Sequence, residues 1–187
     1  MAASRDEAAP VIIACTKGSV IPMRHAKFAL LTGALVAPVA TAASAATVTV
    51  TLPRVPVAEY KKPYVAGWLE PVGGNGQIRS VFVWYEVAKR GGNEAGTKWL
   101  TDLRSWWRKG GRSMRLPADG VSGATRGPGT YTIPLPKDLA PGNYVFNVEA
   151  AREHGGRELV SVPITVPKSG GRTSGKTELG AVTVSTR

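Results

Sequence analysis

Short segments rich in strand-forming residues recur from residue 47 onward, and they constrain the fold more than any other feature. Glycine and proline separate seven of these segments, which span residues 47–52, 64–69, 78–87, 129–135, 143–151, 158–166 and 179–185. A strand with one face in a core alternates apolar and polar residues with a period of two. Seven short strands at this spacing predict an all-β fold, an immunoglobulin-like antiparallel β-sandwich.

One segment has a helical period instead. From Glu94 to Arg108 the apolar residues are Trp99, Leu100, Leu103, Trp106 and Trp107. This spacing marks one face of a helix, and the glycines at 110 and 111 end it. We therefore predict one inserted helix, with its tryptophans capping one end of the sandwich.

Residues 23–45 have the three parts of a Sec signal peptide. Arg24, His25 and Lys27 form a basic start, residues 28–39 are apolar, and Ala43-Ser44-Ala45 matches the cleavage pattern. The apolar stretch is too short to span a bilayer as a helix. We expect residues 1–22 to be an upstream extension, since Met23 is a better start. Residues 46–187 then form a single exported β-sandwich domain, located in the periplasm and without a membrane span.

Charge and residue content exclude several functional classes. The net charge of +11 suggests nucleic-acid binding, but the basic residues are scattered, with no run of five. A basic surface that attracts acidic partners explains the charge more simply. The exported part contains one histidine, His154, and no cysteine, so it offers no His/Cys metal cluster and no supported catalytic triad. We expect no nucleic acid, no metal and no catalytic site.

The segment Gly170-Gly171-Arg172-Thr173-Ser174-Gly175-Lys176-Thr177 fits the letters of a phosphate-binding P-loop. A P-loop requires a helix directly after its lysine, so that the helix N-terminus faces the phosphates. Residues 178–185 favour a strand. We therefore interpret the segment as a glycine-rich linker.

A second short motif suits a modification reaction. The segment Asp119-Gly120-Val121-Ser122-Gly123-Ala124-Thr125 resembles the acceptor motif of FMN transferases of the ApbE type. That motif runs Asp-Gly-x-Ser/Thr-Gly/Ser-Ala-Thr, and six residues match: Asp119, Gly120, Ser122, Gly123, Ala124 and Thr125. The resemblance implies that the Thr125 hydroxyl takes FMN from FAD through a phosphoester bond.

The residue types around this threonine agree with such a role. Glycine and alanine leave a flexible, exposed loop that would enter another enzyme's cleft. Arg126, and also Arg115, would neutralise the phosphate on Thr125. A surface turn rich in serine and glycine is the alternative interpretation.

Several longer segments resemble the predicted periplasmic family called domain of unknown function 2271. They are Tyr64-Val65-Ala66-Gly67-Trp68-Leu69-Glu70, the pair Trp106 and Trp107, residues 122–126, and residues 144–153. The resemblance spans roughly residues 47–185. It implies a link with PepSY-type membrane proteins, which pass electrons across the inner membrane, and with iron uptake.

Two functions follow as hypotheses. In the first, the chain is a periplasmic electron-transfer flavoprotein with FMN on Thr125, working with a membrane reductase and not itself an enzyme. FMN supplies the redox chemistry, and one of the tryptophans Trp84, Trp99, Trp106 and Trp107 shields its ring. In the second, the chain is a non-redox binding or interaction module, because folds of this class host many functions.

Overall fold

Nine strands form two sheets in the computed structural model, which describes residues 45–73, 76–87, 96–153 and 155–187. The strands are β1 (Thr47–Leu52), β2 (Tyr64–Pro71), β3 (Arg79–Tyr85), β4 (Ser122–Ala124), β5 (Gly129–Pro134), β6 (Gly142–Ala151), β7 (Arg157–Val166), β8 (Gly171–Ser174) and β9 (Ala181–Ser185). The helical elements are a 3₁₀ segment (Gly96–Asp102), α1 (Arg104–Lys109) and a short 3₁₀ turn (Gly111–Ser113). The predicted signal peptide and the upstream extension lie outside the described residues, except for Ala45.

The sandwich is confirmed, with two strands that the sequence did not indicate. One sheet has the order β5-β1-β9-β8 and the other the order β4-β3-β2-β6-β7. All pairs are antiparallel except β3 with β4, which run parallel. The seven predicted strands are present, and β4 and β8 are added at sheet edges. Both added strands are short, so their sequences carry too few alternations to be recognised.

Alternation along β1 shows how the two sheets meet. Val48, Val50 and Leu52 are buried in the core between the sheets. The threonines between them point outward, and the hydroxyls of Thr49 and Thr51 lie 3.2 and 3.1 Å from those of two threonines on β5. The period of two in β1 therefore separates an apolar inner face from a polar outer face.

The helical segment covers a sheet face, and the prediction that its tryptophans cap the end of the sandwich is wrong. Leu100, Leu103 and Trp106 are buried against the outer face of the five-stranded sheet, which presents residues such as Trp68 and Tyr85. The segment is also not one helix, because a 3₁₀ segment precedes α1. None of the helices in the described ranges has the length and apolarity to span a bilayer.

A carboxylate from the sheet caps α1. The residue before the helix is Leu103, whose side chain offers no acceptor for the first backbone N–H groups. Glu149 on β6 accepts hydrogen bonds from the backbone N–H groups of Ser105 (2.9 Å) and Trp106 (2.9 Å), and it is fully buried. Arg157 donates to the same carboxylate at 2.7 Å. This one side chain therefore fixes the start of α1 on the sheet.

The segment with P-loop letters encloses a carboxylate of the chain itself. Glu158 on β7 accepts hydrogen bonds from the backbone N–H groups of Lys176, Thr177, Glu178 and Leu179. Successive backbone N–H groups that converge in this way form an anion-binding nest. Because Glu158 fills the nest and β9 follows it, the segment does not form the P-loop structure. Residues 171–174 form β8 and pair with β9, which corrects the interpretation of the whole segment as a linker; only the residues after Ser174 connect the two strands.

Glu158 makes the stability of the domain dependent on pH. Burial favours its neutral form, but the hydrogen bonds from Lys176, Leu179 and Thr177 outweigh that effect and hold the pKa of Glu158 below its usual value. A lowered pKa in the folded state stabilises the fold above the unfolded pKa of about 4.3. This contribution is lost as the pH falls through the folded pKa.

We therefore expect the Glu158→Gln variant to lose about 1–2 kcal/mol of unfolding free energy at pH 7. The difference from the unaltered chain should shrink steadily once the pH falls below about 4. Urea unfolding at several pH values measures both free energies. An equal difference at pH 7 and pH 3 would contradict the assigned ionisation of Glu158.

Candidate functional site

The acceptor motif begins with a closed turn. The backbone N–H groups of Val121 and Ser122 donate to the carbonyl oxygen of Ala118 at 3.2 and 2.9 Å, and the Ser122 hydroxyl accepts from the Ala118 N–H at 2.9 Å. Gly120 has φ of +70°, a conformation that favours glycine. Asp119 and Gly120 are exposed at the tip of this turn. The first residues of the motif thus lead the chain back toward the sheet.

The middle of the motif is a strand, which corrects the expectation of a flexible loop. Ser122, Gly123 and Ala124 form β4 and pair in parallel with residues 83–85 of β3. A side chain at position 123 would place its Cβ 3.2 Å from the indole Cδ1 of Trp84, so glycine permits the close approach of the two strands. The expectation failed because a three-residue edge strand on β3 leaves no periodicity in the sequence.

Thr125 is the first residue beyond β4. Its backbone N–H donates to the carbonyl oxygen of Tyr85 at 3.2 Å, and the residue is half-buried. No group in the described part of the chain hydrogen-bonds the Thr125 hydroxyl, and the residue lines a cavity. Thr125 is therefore placed outside the core between the sheets.

Arg126 points to a different place from the one expected. Its guanidinium lies over the rings of Trp84 and Tyr131, 4.4 and 4.8 Å from their centroids. Both rings belong to the core between the sheets or pack against it. Arg126 does not line the cavity beside Thr125, and neither does Arg115. Cation–π contact anchors the chain immediately after Thr125.

The cavity beside Thr125 has the size of a small-molecule site. It encloses about 620 Å³, within the range of about 300–1,000 Å³ that is usual for ligand pockets. It lies at the end of the five-stranded sheet where β2 begins and where β3, β4 and β6 end. The 3₁₀ segment forms another side of the cavity through Trp99.

Aromatic side chains provide much of the cavity wall. Tyr60, Tyr64 and Trp99 line it, and Trp99 is 43% exposed. Trp84 and Trp106 are buried in the two cores, so they cannot shield a ligand in this cavity. Of the four tryptophans considered for that role, only Trp99 is among the lining residues.

Charged side chains of both signs also line the cavity. The basic residues are Lys61, Lys62 and Arg152, and the acidic residues are Glu86, Asp102 and Glu153. Lys61 pairs with Glu59 at 2.6 Å, and Arg152 pairs with a buried carboxylate, Glu178, at 2.8 Å. Lys62 forms no ion pair within the part of the chain that the structure describes. It is therefore the cation at this cavity whose charge is available to an anionic ligand.

The two tyrosines of the wall remain neutral at physiological pH. Burial raises the pKa of the Tyr60 phenol above its ordinary value, and the nearby Arg152 only partly opposes this. Burial also raises the pKa of Tyr64, and the Glu86 carboxylate adds to the shift. Both hydroxyls therefore keep their protons and act as hydrogen-bond donors.

Metal binding finds no support in the described ranges, where no group of three or more His, Cys, Asp and Glu side chains comes together. His154 lies outside the described residues. The cavity residues other than Thr125 and Trp99 were not predicted as site residues. Tyr64, Arg152 and Glu153 lie in segments that carry the family resemblance, and this resemblance was the sequence feature that could have indicated them as site residues. Tyr60, Lys61 and Lys62 precede β2 without any recognisable motif.

Comparison with known proteins places the chain in a family. The family model described as "Predicted periplasmic protein (DUF2271)" matches residues 45–181, which include the whole cavity wall and the acceptor motif. No curated protein matches the chain. No solved structure matches it either.

Proposed function

The chain belongs to this family of predicted periplasmic proteins, and from that premise we propose that it is a periplasmic electron-transfer flavoprotein carrying FMN covalently on Thr125. The observation that carries the proposal is the position of Thr125. It lies at the end of an edge strand, its hydroxyl is bonded to no described group, and it lines a cavity whose wall includes three aromatic side chains. A hydroxyl so placed is open to an external enzyme, and a group attached to it has a site to occupy.

The attachment would be a phosphoryl transfer performed by an FMN transferase of the ApbE type. The Thr125 oxygen attacks the phosphorus of FAD that carries the riboflavin part. The bond between the two phosphates breaks, AMP leaves with the bonding electrons, and the hydroxyl proton passes to a base of the transferase. The product is a phosphodiester between FMN and Thr125.

The strand pairing of β4 does not block this reaction. Only three residues pair with β3, and they lie at the edge of the sheet. Short edge segments open locally at a small fraction of the free energy of global unfolding. The transferase therefore needs to displace only a short segment, while the cation–π contacts of Arg126 hold the chain beyond it.

The cavity suits the cofactor in size and chemistry. Aromatic walls favour a planar ring, and Lys62 provides a positive charge for the phosphate. Bound FMN would supply the redox chemistry, accepting electrons from a PepSY-type membrane reductase and passing them to a ferric complex or another carrier. The protein's own residues would hold the ring and shield it from solvent.

The direct test is to express the exported domain together with an FMN transferase and FAD. We expect the unaltered chain to gain one FMN, less one water, in intact mass under denaturing conditions and to absorb visible light. The Thr125→Ala variant should gain nothing, because it has no acceptor oxygen.

Two further variants serve as matched controls. Thr125→Ser keeps the hydroxyl and should still be modified, whereas Ser122→Ala removes a neighbouring hydroxyl that binds the Ala118 N–H and should also be modified. Addition of FMN to the Thr125→Ala variant, or none to the unaltered chain, would refute the proposal. The second result would leave the non-redox binding module, which the aromatic cavity also supports, as the better account.

A further inference from the structure

Trp99 is exposed although the neighbouring apolar side chains are buried. The next apolar residues along the chain, Leu100 and Leu103, are buried against the sheet, whereas Trp99 remains 43% exposed. Ligand pockets are lined mainly by apolar and aromatic side chains, so an exposed indole in a cavity wall offers a flat surface to a planar ligand. The Lys98 ammonium lies 5.3 Å from the centroid of the Trp99 ring, so one face of the indole already contacts a cation.

The wall formed by Tyr60 and Tyr64 adds aromatic surface with hydrogen-bond donors. The Arg152 guanidinium lies 5.9 Å from the Tyr60 ring centroid, and the same guanidinium is held by Glu178. A rigid partner limits the movement of Arg152 and, through it, of this part of the wall. Tyr64 is held at the start of β2, where it pairs with Ala151 of β6. The wall is thus formed before any ligand arrives.

Resting on the proposed function, we infer that this cavity binds the flavin ring and its phosphate noncovalently, with Trp99 against the ring and Lys62 attracting the phosphate. When FMN is attached to Thr125, its flavin ring is then bound in the cavity and is not exposed to solvent. Because the wall exists without the tether, the same site binds free FMN when Thr125 cannot be modified.

The experiment uses the Thr125→Ala variant of the exported domain, which has no covalent acceptor. It is titrated with free FMN and, separately, with riboflavin, and quenching of flavin fluorescence measures binding. We expect saturable binding of FMN. Riboflavin should bind more weakly because it lacks the phosphate, and the difference should diminish as salt is added.

Variants in the Thr125→Ala background assign the contacts. Trp99→Ala should weaken FMN binding about tenfold, the loss typical for removal of one aromatic stacking partner, and Trp99→Phe should restore most of it. Leu159→Ala removes an apolar side chain of equal exposure (43%) on β7 and should leave binding unchanged. Lys62→Gln should reduce FMN binding to the level of riboflavin.

The result that overturns the inference is absence of FMN binding by the Thr125→Ala variant, or binding that Trp99→Ala does not alter. This failure differs from failure of the proposed function. If the unaltered chain gains covalent FMN but the Thr125→Ala variant does not bind free FMN, the proposed flavoprotein is supported and noncovalent binding in the cavity is rejected. If the variant binds free FMN but the unaltered chain gains no covalent FMN, the cavity binds flavin and covalent attachment to Thr125 is rejected.

Discussion

We expect the Glu149→Ala variant to unfold with a free energy about 2–4 kcal/mol below that of the unaltered chain. The lost carboxylate is fully buried and accepts hydrogen bonds from the Ser105 and Trp106 N–H groups and from Arg157. Its removal leaves the backbone N–H groups of Ser105 and Trp106 without their acceptor, and the buried N–H of Trp106 has no water to replace it. Arg157 is 41% exposed, so water hydrates its charge and it adds little to the loss.

Urea unfolding, followed by tryptophan fluorescence, measures this loss. Ser105→Ala is the matched control, because Ser105 donates through its backbone N–H and the substitution preserves that bond. The control should unfold close to the unaltered chain. A loss below about 1 kcal/mol for Glu149→Ala would mean that the carboxylate is not the cap that holds α1 on the sheet.

The strands were predictable because each carries its own signal. The alternation of β1 determines which residues enter the core, and β5, β6, β7 and β9 repeat the pattern with glycine or proline between them. The five-stranded sheet is covered on both faces, and this was not apparent from the sequence. Residues 65–69 of β2 are all buried, which is typical of a strand between two layers.

Local sequence rules could not predict how the N-terminus of α1 is capped. Those rules look for Ser, Thr, Asp or Asn directly before the helix. The chain has Leu103 there, and its cap comes from Glu149 on a strand 44 residues from Ser105. Glu149 could be noticed only as part of the segment that carries the family resemblance. The same segment contains Arg152, whose ion-pair partner, Glu178, is also distant in the sequence.

The candidate site was also predictable only in part. Thr125 was predicted from a contiguous motif, and the structure places it beside a cavity. The cavity itself joins residues from the approach to β2, the 3₁₀ segment and the turn after β6. No spacing rule connects such residues before the sheet is assembled. Arg126 was assigned to the phosphate on the basis of adjacency alone, whereas its side chain lies over Trp84 and Tyr131.

The second large effect that we expect concerns the ion pair between Arg152 and Glu178. The guanidinium donates to the two carboxylate oxygens at 3.0 and 2.8 Å, and the two side chains are only 6% and 4% exposed. Glu178→Ala should lower the free energy of unfolding by about 3–5 kcal/mol, since it leaves a buried guanidinium without its counter-charge. Urea unfolding measures the change.

An exposed pair with two hydrogen bonds between arginine and carboxylate provides the control. Arg79 donates to both oxygens of Asp138 at 3.0 and 2.6 Å, but the two side chains are 43% and 74% exposed. Water screens that pair, so Asp138→Ala should unfold at nearly the urea concentration of the unaltered chain. The double variant Arg152→Met with Glu178→Leu should recover most of the loss, because it removes the buried charge together with its partner. If Glu178→Ala and Asp138→Ala proved equally mild, burial would not be what makes the Arg152 pair important.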